Sequence, residues 1–245
     1  MRRTFVALGL LCLTTCVTPN ARAAELLLNG DLSLPTAAAA ADEPTGWTLI
    51  ESGTDGSTQN TAQLIGFADH TGNTDGQGIW LREFEGLFYG STNEMTNAVL
   101  SQTVPGTAGT AYSFSGWSRW ETNYSGGVDL LDAASKSGAV ASPTSTIFRM
   151  AFLDAGNNEL DSQTLDLRTV QTNDNLWHQH VLTGTAPDGT ASVMVTAAAY
   201  DMIPNVDPGQ SGFFDDFSLM AVPEPSSCLL ALLGFVGIGS LRRRR

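Results

Sequence analysis

Short apolar or alternating stretches recur through the middle of the chain, and turn signals separate them. Gly78-Ile79-Trp80-Leu81, Ala111 to Trp117, Phe148 to Leu153 and Ala191 to Ala199 are four such stretches. Pro105-Gly106, Ala155-Gly156-Asn157-Asn158 and Pro187-Asp188-Gly189 are three of the separators. Side chains alternate between the faces of a strand. Tyr112 and Phe114 therefore share one face, as do Phe148, Met150 and Phe152. No helical period runs for ten residues; Ala37 to Ala41 and Leu130 to Ser135 are too short to count. Many short strands between turns predict an all-β, two-sheet antiparallel sandwich over residues 24–221.

The two ends break this pattern. Arg2-Arg3, the apolar run Phe5 to Leu13 and the small-x-small triplet Ala21-Arg22-Ala23 read as a secretory signal peptide over residues 1–23. The apolar run is too short to span a bilayer. Lipidation at Cys16 is the alternative, but Thr15 is a poor residue before such a cysteine. At the other end, Val222-Pro223-Glu224-Pro225-Ser226 precedes an apolar stretch from Ser227 to Leu241, then Arg242 to Arg245. As a helix the stretch would reach about 22 Å, short of the roughly 30 Å hydrocarbon core. The arginines would hold its end in the cytoplasm.

This order resembles the PEP-CTERM sorting signal of Gram-negative bacteria, over residues 222–245. The resemblance implies an exosortase-type processing protease as partner, with Pro223, Glu224 and Pro225 as the motif it reads. It also implies only transient membrane contact, through the short C-terminal helix. The expected destination is the cell envelope, the cell surface or an extracellular matrix.

Charge and cysteines narrow the partners. The formal net charge is −13, but seven of the twelve basic residues lie in the two ends. Residues 24–220 hold five basic residues against 24 acidic ones, a charge of −19. Such a body repels phosphate backbones, so nucleic acid is not an expected partner. All three cysteines (Cys12, Cys16 and Cys228) fall in the ends. The body therefore lacks disulfides and thiolate metal sites, and must stand on its core or on a bound ion.

Landmarks in the body come in a set order. Leu27-Leu28-Asn29-Gly30-Asp31-Leu32-Ser33 leads to Gly46-Trp47, then to Gly76 through Leu81. Leu100 to Pro105 and Thr110 to Ser115 follow, then Trp177, and Phe213-Phe214-Asp215-Asp216-Phe217-Ser218-Leu219 closes the series. The body resembles the galactose-binding-like jelly roll of carbohydrate-binding modules. That likeness implies two sheets of four or five strands, with the first and last strands paired. It implies Trp47 and Trp177 in the core, and a structural calcium held by Asn29, Asp31 and Asp216, with Asp215 nearby. Calcium takes six to eight hard oxygens. Ser33 stands where the pattern usually has an acid, and a hydroxyl is a weaker ligand. Residues 121–146 read as an inserted loop.

Glycan binding asks for flat apolar surfaces and a few fixed polar groups. Trp80, Tyr89, Trp120 and Tyr124 are the candidates. Trp117 and Trp120 differ in strand parity, and Trp120, beside Arg119, Glu121 and Tyr124, is the expected ligand face. The acids Asp69, Asp75, Glu83 and Glu85 read as a solvated face. His178 and His180 share a strand face, but zinc needs a third ligand and none is evident; exposed histidines are expected. No Gly-x-Ser-x-Gly elbow, phosphate loop or His-Glu-x-x-His is present, so catalysis is not expected. The sequence thus predicts an exported, non-catalytic glycan-binding module. A structural surface protein without a sugar site is the alternative, and a glycan-cleaving carboxylate pair is a third reading.

Overall fold

A computed structural model describes residues 23–34, 42–53, 61–72, 76–82, 95–120, 144–172, 174–202 and 211–222. Among the described residues ten strands form: β1 Thr48–Gly53, β2 Ala62–Ile65, β3 Gly78–Arg82, β4 Thr96–Pro105 and β5 Ala111–Trp120. β6 Ser145–Leu153, β7 Glu159–Asp166, β8 His178–Thr185, β9 Ser192–Met202 and β10 Ser211–Val222 complete the set. They make two five-stranded sheets, ordered β1-β4-β9-β6-β7 and β2-β3-β10-β5-β8. All pairs are antiparallel. This is the all-β two-sheet sandwich that the alternation predicts, in the jelly-roll form that the resemblance implies. Of the expected signal peptide (1–23) and inserted loop (121–146), residues 1–22 and 121–143 lie outside the described residues, as does the tail from Pro223 with its expected helix; Ser145 and Thr146, expected in the loop, instead open β6.

The strands form where alternation lets one face leave water. On β5, Tyr112, Phe114, Gly116, Ser118 and Trp120 point inward, and the residues between them do not. Phe148, Met150 and Phe152 of β6 meet them from the other sheet, all three fully buried. Phe148 sits at the centre, its ring 5.8 to 5.9 Å from those of Phe114, Phe214 and Phe217. Burying side chains of this size contributes roughly 1.5–3 kcal/mol each. The predicted turns occupy their places: Asn157 and Gly189 both adopt positive φ, the conformation those residues tolerate best.

Two local devices shape the second sheet. In β10 the register shifts between Asp215 and Ser218, and Asp216 takes a φ of 48°. This bulge moves Phe217 onto the core face beside Phe214, where strict alternation would place it opposite. The chain's opening segment then closes against the same strand. Glu25 bridges to Met220, and Phe217 N–H donates to the Gly30 carbonyl at 2.8 Å. The Glu25 carboxylate accepts from Leu26, Leu27 and Leu219 N–H groups and from the Ser218 hydroxyl. Only a glycine fits at position 30, because a Cβ would stand 2.1 Å from the Phe217 oxygen. The expected pairing of first and last segments is therefore present, as a bridge and a clasp and not as a full strand.

Candidate functional site

The outward positions of the second sheet carry the unusual chemistry. Trp80 of β3, Phe213 of β10 and Arg119 of β5 are cross-strand partners in one row. Two residues along, Trp117 faces the same side. Beside Arg119 lies Trp177, the residue just before β8. A 3-10 turn at Gly66–Ala68 lays Phe67 over the row, 52% exposed. Its ring is 5.1 Å from Trp80 and 5.6 Å from Phe213, edge-on to both. The turn packs this closely because Gly78 has no side chain; a Cβ there would stand 1.9 Å from the Ala68 carbonyl oxygen.

Two arginines join these rings. The Arg119 guanidinium lies 4.7 Å from the Phe213 ring and 5.2 Å from Trp177. It donates to the Phe67 carbonyl at 3.3 Å. Arg82 lies 4.9 Å over Trp80. His70 continues the array, stacked 3.9 Å on Trp117 and edge-on to Trp177 at 5.4 Å. The result is a cluster of rings with cationic groups between them: Phe67 exposed, Trp80, Trp117 and Trp177 half-buried, and Phe213 buried beneath them. Apolar faces of this kind suit the C–H faces of sugar rings, and guanidinium groups suit their oxygens.

Acidic residues anchor the surface from below. Asp215 is 1% exposed and accepts from His70 N–H at 2.9 Å and Asp216 N–H at 2.7 Å. Burial pushes its pKa up to about 8, against the pull of those two donors; the Asp216 and Asp69 charges add to the rise. At neutral pH the acid is mostly protonated. The Asp216 carboxylate lies 2.6 Å from His70 Nδ1 and so holds that ring against Trp117. Asp69 is buried, accepting from the Thr71 N–H and hydroxyl, and is not part of a solvated face. Asp75, Glu83 and Glu85 lie outside the described residues.

The structure redistributes the predicted site. Trp80 does face outward. Trp120 does not: at 1% exposure it belongs to the core face with Tyr112 and Phe114, so its ring is closed to a ligand. Trp47 is buried as expected, its Nε1 donating to the Asn29 carbonyl at 2.9 Å. Trp177, expected in the core, is half-buried in the outer array. Tyr89, Tyr124, Pro223, Glu224 and Pro225 lie outside the described residues. Sequence reasoning missed Phe67, Trp117, Trp177, Arg119 and Phe213. For Trp117 and Arg119 a signal existed, since both oppose Phe114 in parity. For Phe67, carried by a turn, there was none.

The expected calcium donors each hold a hydrogen-bond partner of their own. Asn29 Oδ1 accepts from Leu34 N–H at 2.9 Å, and Asp31 is exposed and holds the Ser33 hydroxyl at 2.9 Å. Asp216 holds His70. Among the described residues no group of three His, Cys, Asp or Glu is arranged to hold a metal. His178 and His180 share a face with rings 6.5 Å apart, but they are not a pair of exposed histidines. His180 is buried against Gln171, and burial, then the neighbouring His178, lowers its pKa; His178 is half-buried, 2.9 Å from Asp174.

Comparison with known proteins supports both halves of the chain. Residues 221–245 match the PEP-CTERM protein-sorting motif. The motif marks the chain for export and sorting to the cell envelope. The sandwich is similar to the enzymatically active domain of tailspike protein 4 from bacteriophage CBA120. Identity is 15% and the TM-score 0.52, over 81% of this chain and 21% of that one. The chain thus spans about a fifth of the tailspike's length. An apo-form cyclase from Fischerella sp. shows 13% identity and a TM-score of 0.50, over 82% of this chain and 97% of that one. TmCBM61, solved in complex with beta-1,4-galactotriose, shows 15% identity and a TM-score of 0.46, over 81% and 99%. At these identities the likeness is one of fold alone. No curated protein matches the sequence.

Proposed function

We propose that the protein is an exported, non-catalytic glycan-binding module that holds extracellular polysaccharide on the outer face of its second sheet. The observation that carries this reading is the array of Phe67, Trp80, Trp117, Trp177 and Phe213 with Arg82 and Arg119 among the rings. Aromatic side chains left partly open to solvent on one sheet face, with polar groups among them, support an interaction surface. Rings that stay half-buried lose little freedom on binding, so more of the contact energy appears as affinity.

The sorting tail supplies the address. An exosortase-type protease reads Pro223-Glu224-Pro225 and removes the short apolar stretch, leaving the sandwich outside the cytoplasmic membrane. The signal peptide over residues 1–23 starts that route. The intact mass of the exported protein tests this part; a mass that includes Arg242 to Arg245 overturns it.

Retention of the exported protein in gels cast with neutral and acidic polysaccharides tests the binding reading. The expected result is retardation by at least one polymer, weakened about tenfold in Trp177→Ala, equivalent to about 1.4 kcal/mol. Migration unaffected by every polymer would leave a structural surface protein as the better reading. Two inward-packed tryptophans, Trp47 and Trp120, would fit that second role.

A further inference from the structure

Arg119 differs from the body's paired arginines. Arg149 is paired with Glu159 and Arg168 with Asp166. Arg119 meets no carboxylate among the described residues. Its polar contact is the Phe67 carbonyl; its other contacts are ring faces. In so acidic a body, an arginine with no carboxylate partner among the described residues is an unusual arrangement. The rings lie against the guanidinium, Nε is buried without a partner among the described residues, and Nη2 gives one N–H to Phe67, so the remaining N–H groups of the terminal nitrogens are the in-plane donors left to be used. Those donors form a rigid fork that matches a planar carboxylate in two parallel hydrogen bonds.

We infer that the glycan carries carboxylates: a uronic-acid polysaccharide, with an acid group on Arg119 and a neighbouring ring face on Trp177. This inference rests on the binding reading above and gives it a substrate class. A sugar acid joins the two requirements in one unit, a C–H face for the indole and a planar anion for the fork. The body's own negative charge does not forbid it. At physiological ionic strength charges more than about 8 Å away are largely screened, whereas the Arg119 contact lies well inside that distance.

The test uses the exported protein and three probes: polygalacturonate, the same polymer with its carboxyl groups reduced to alcohols, and dextran sulfate. The expected result is binding to polygalacturonate at least tenfold tighter than to the reduced polymer. Arg119→Gln brings that ratio to about one, and Arg119→Lys, which keeps the charge without the fork, restores it only in part. Equal binding of the acidic and reduced polymers by the unmodified protein overturns the inference while leaving the glycan-binding reading intact. That comparison needs no variant, so it stands even where Arg119→Gln does not fold. Dextran sulfate bound as tightly as polygalacturonate, with the same Arg119 dependence, overturns the carboxylate in favour of anions in general. Failure to bind any of the three overturns the inference. If neutral polysaccharides also leave migration unaffected, the binding reading falls with it.

Discussion

The two sheets share one core and one rule of alternation, yet their outer faces differ. Across the first sheet one outward row reads Thr48, Ser101, Thr196, Arg149 and Thr164. Across the second, a comparable row reads Gln63, Trp80, Phe213 and Arg119, and Trp177 lies beside it. Each row holds one arginine in a central strand. On the first sheet it is neutralised by Glu159, and on the second it lies among rings. Alternation settles which residues leave the core. It does not settle what those residues are for, and here the two faces have been given different chemistry on the same frame.

The largest test concerns what the faces have in common. Phe148 belongs to the first sheet but packs on three rings of the second, so Phe148→Ala should cost about 4 kcal/mol. Denaturant unfolding should show one transition at a lower midpoint. Two transitions would mean that the sheets are separate units and that their outer faces cannot be compared as sides of one body.

A second test sharpens the difference. The second sheet carries Asp215, whose folded-state pKa is raised to about 8 from an ordinary 3.8. Between those values the folded state binds the proton that the unfolded state has released. Stability from this acid is therefore full below about pH 4 and is lost as pH rises towards 8. The span is on the order of a few kcal/mol. Melting temperature measured from pH 4 to 8 should fall, and Asp215→Asn should flatten the decline. An identical slope in the variant would place the titration elsewhere.

Calcium gives the smallest expected effect. Asn29, Asp31 and Asp216 each hold a separate partner, so millimolar calcium should leave the melting temperature unchanged. A rise reversed by chelation and absent in Asp216→Asn would return the ion to the account. It would also mean that the opening segment and the second sheet meet through a metal.

Much of the frame was legible because period 2 is a local property. Tyr112 with Phe114, and Phe148 with Met150 and Phe152, could be paired from spacing alone. The same counting carried on from Phe114 reaches Trp120, and so places it in the core; its polar neighbours Arg119 and Glu121 pointed the other way. Parity separates Trp117 from Trp120 but needs a reference residue to say which one is outside. The site and the core beneath it were less legible where one site ring and one core ring break the period. Phe67 arrives on a turn whose packing depends on Gly78, and Phe217 changes face at a bulge. Both depend on contacts between segments far apart in the chain, which spacing cannot report.

The position of β10 has a consequence for the order of events during synthesis. It is the last strand among the described residues, yet it lies in the middle of the second sheet, between β3 and β5. Until it arrives, both of those strands present open edges, the kind of edge that invites pairing with other chains. Glu25, among the first residues after the expected signal cleavage, also waits for Leu219 and Met220 to complete its clasp. The strand that closes the sandwich runs directly into the sorting motif. A ribosome that has finished the domain is therefore within a few residues of the sorting address, and a chain cut short before β10 lacks both the address and the strand that closes its sheet.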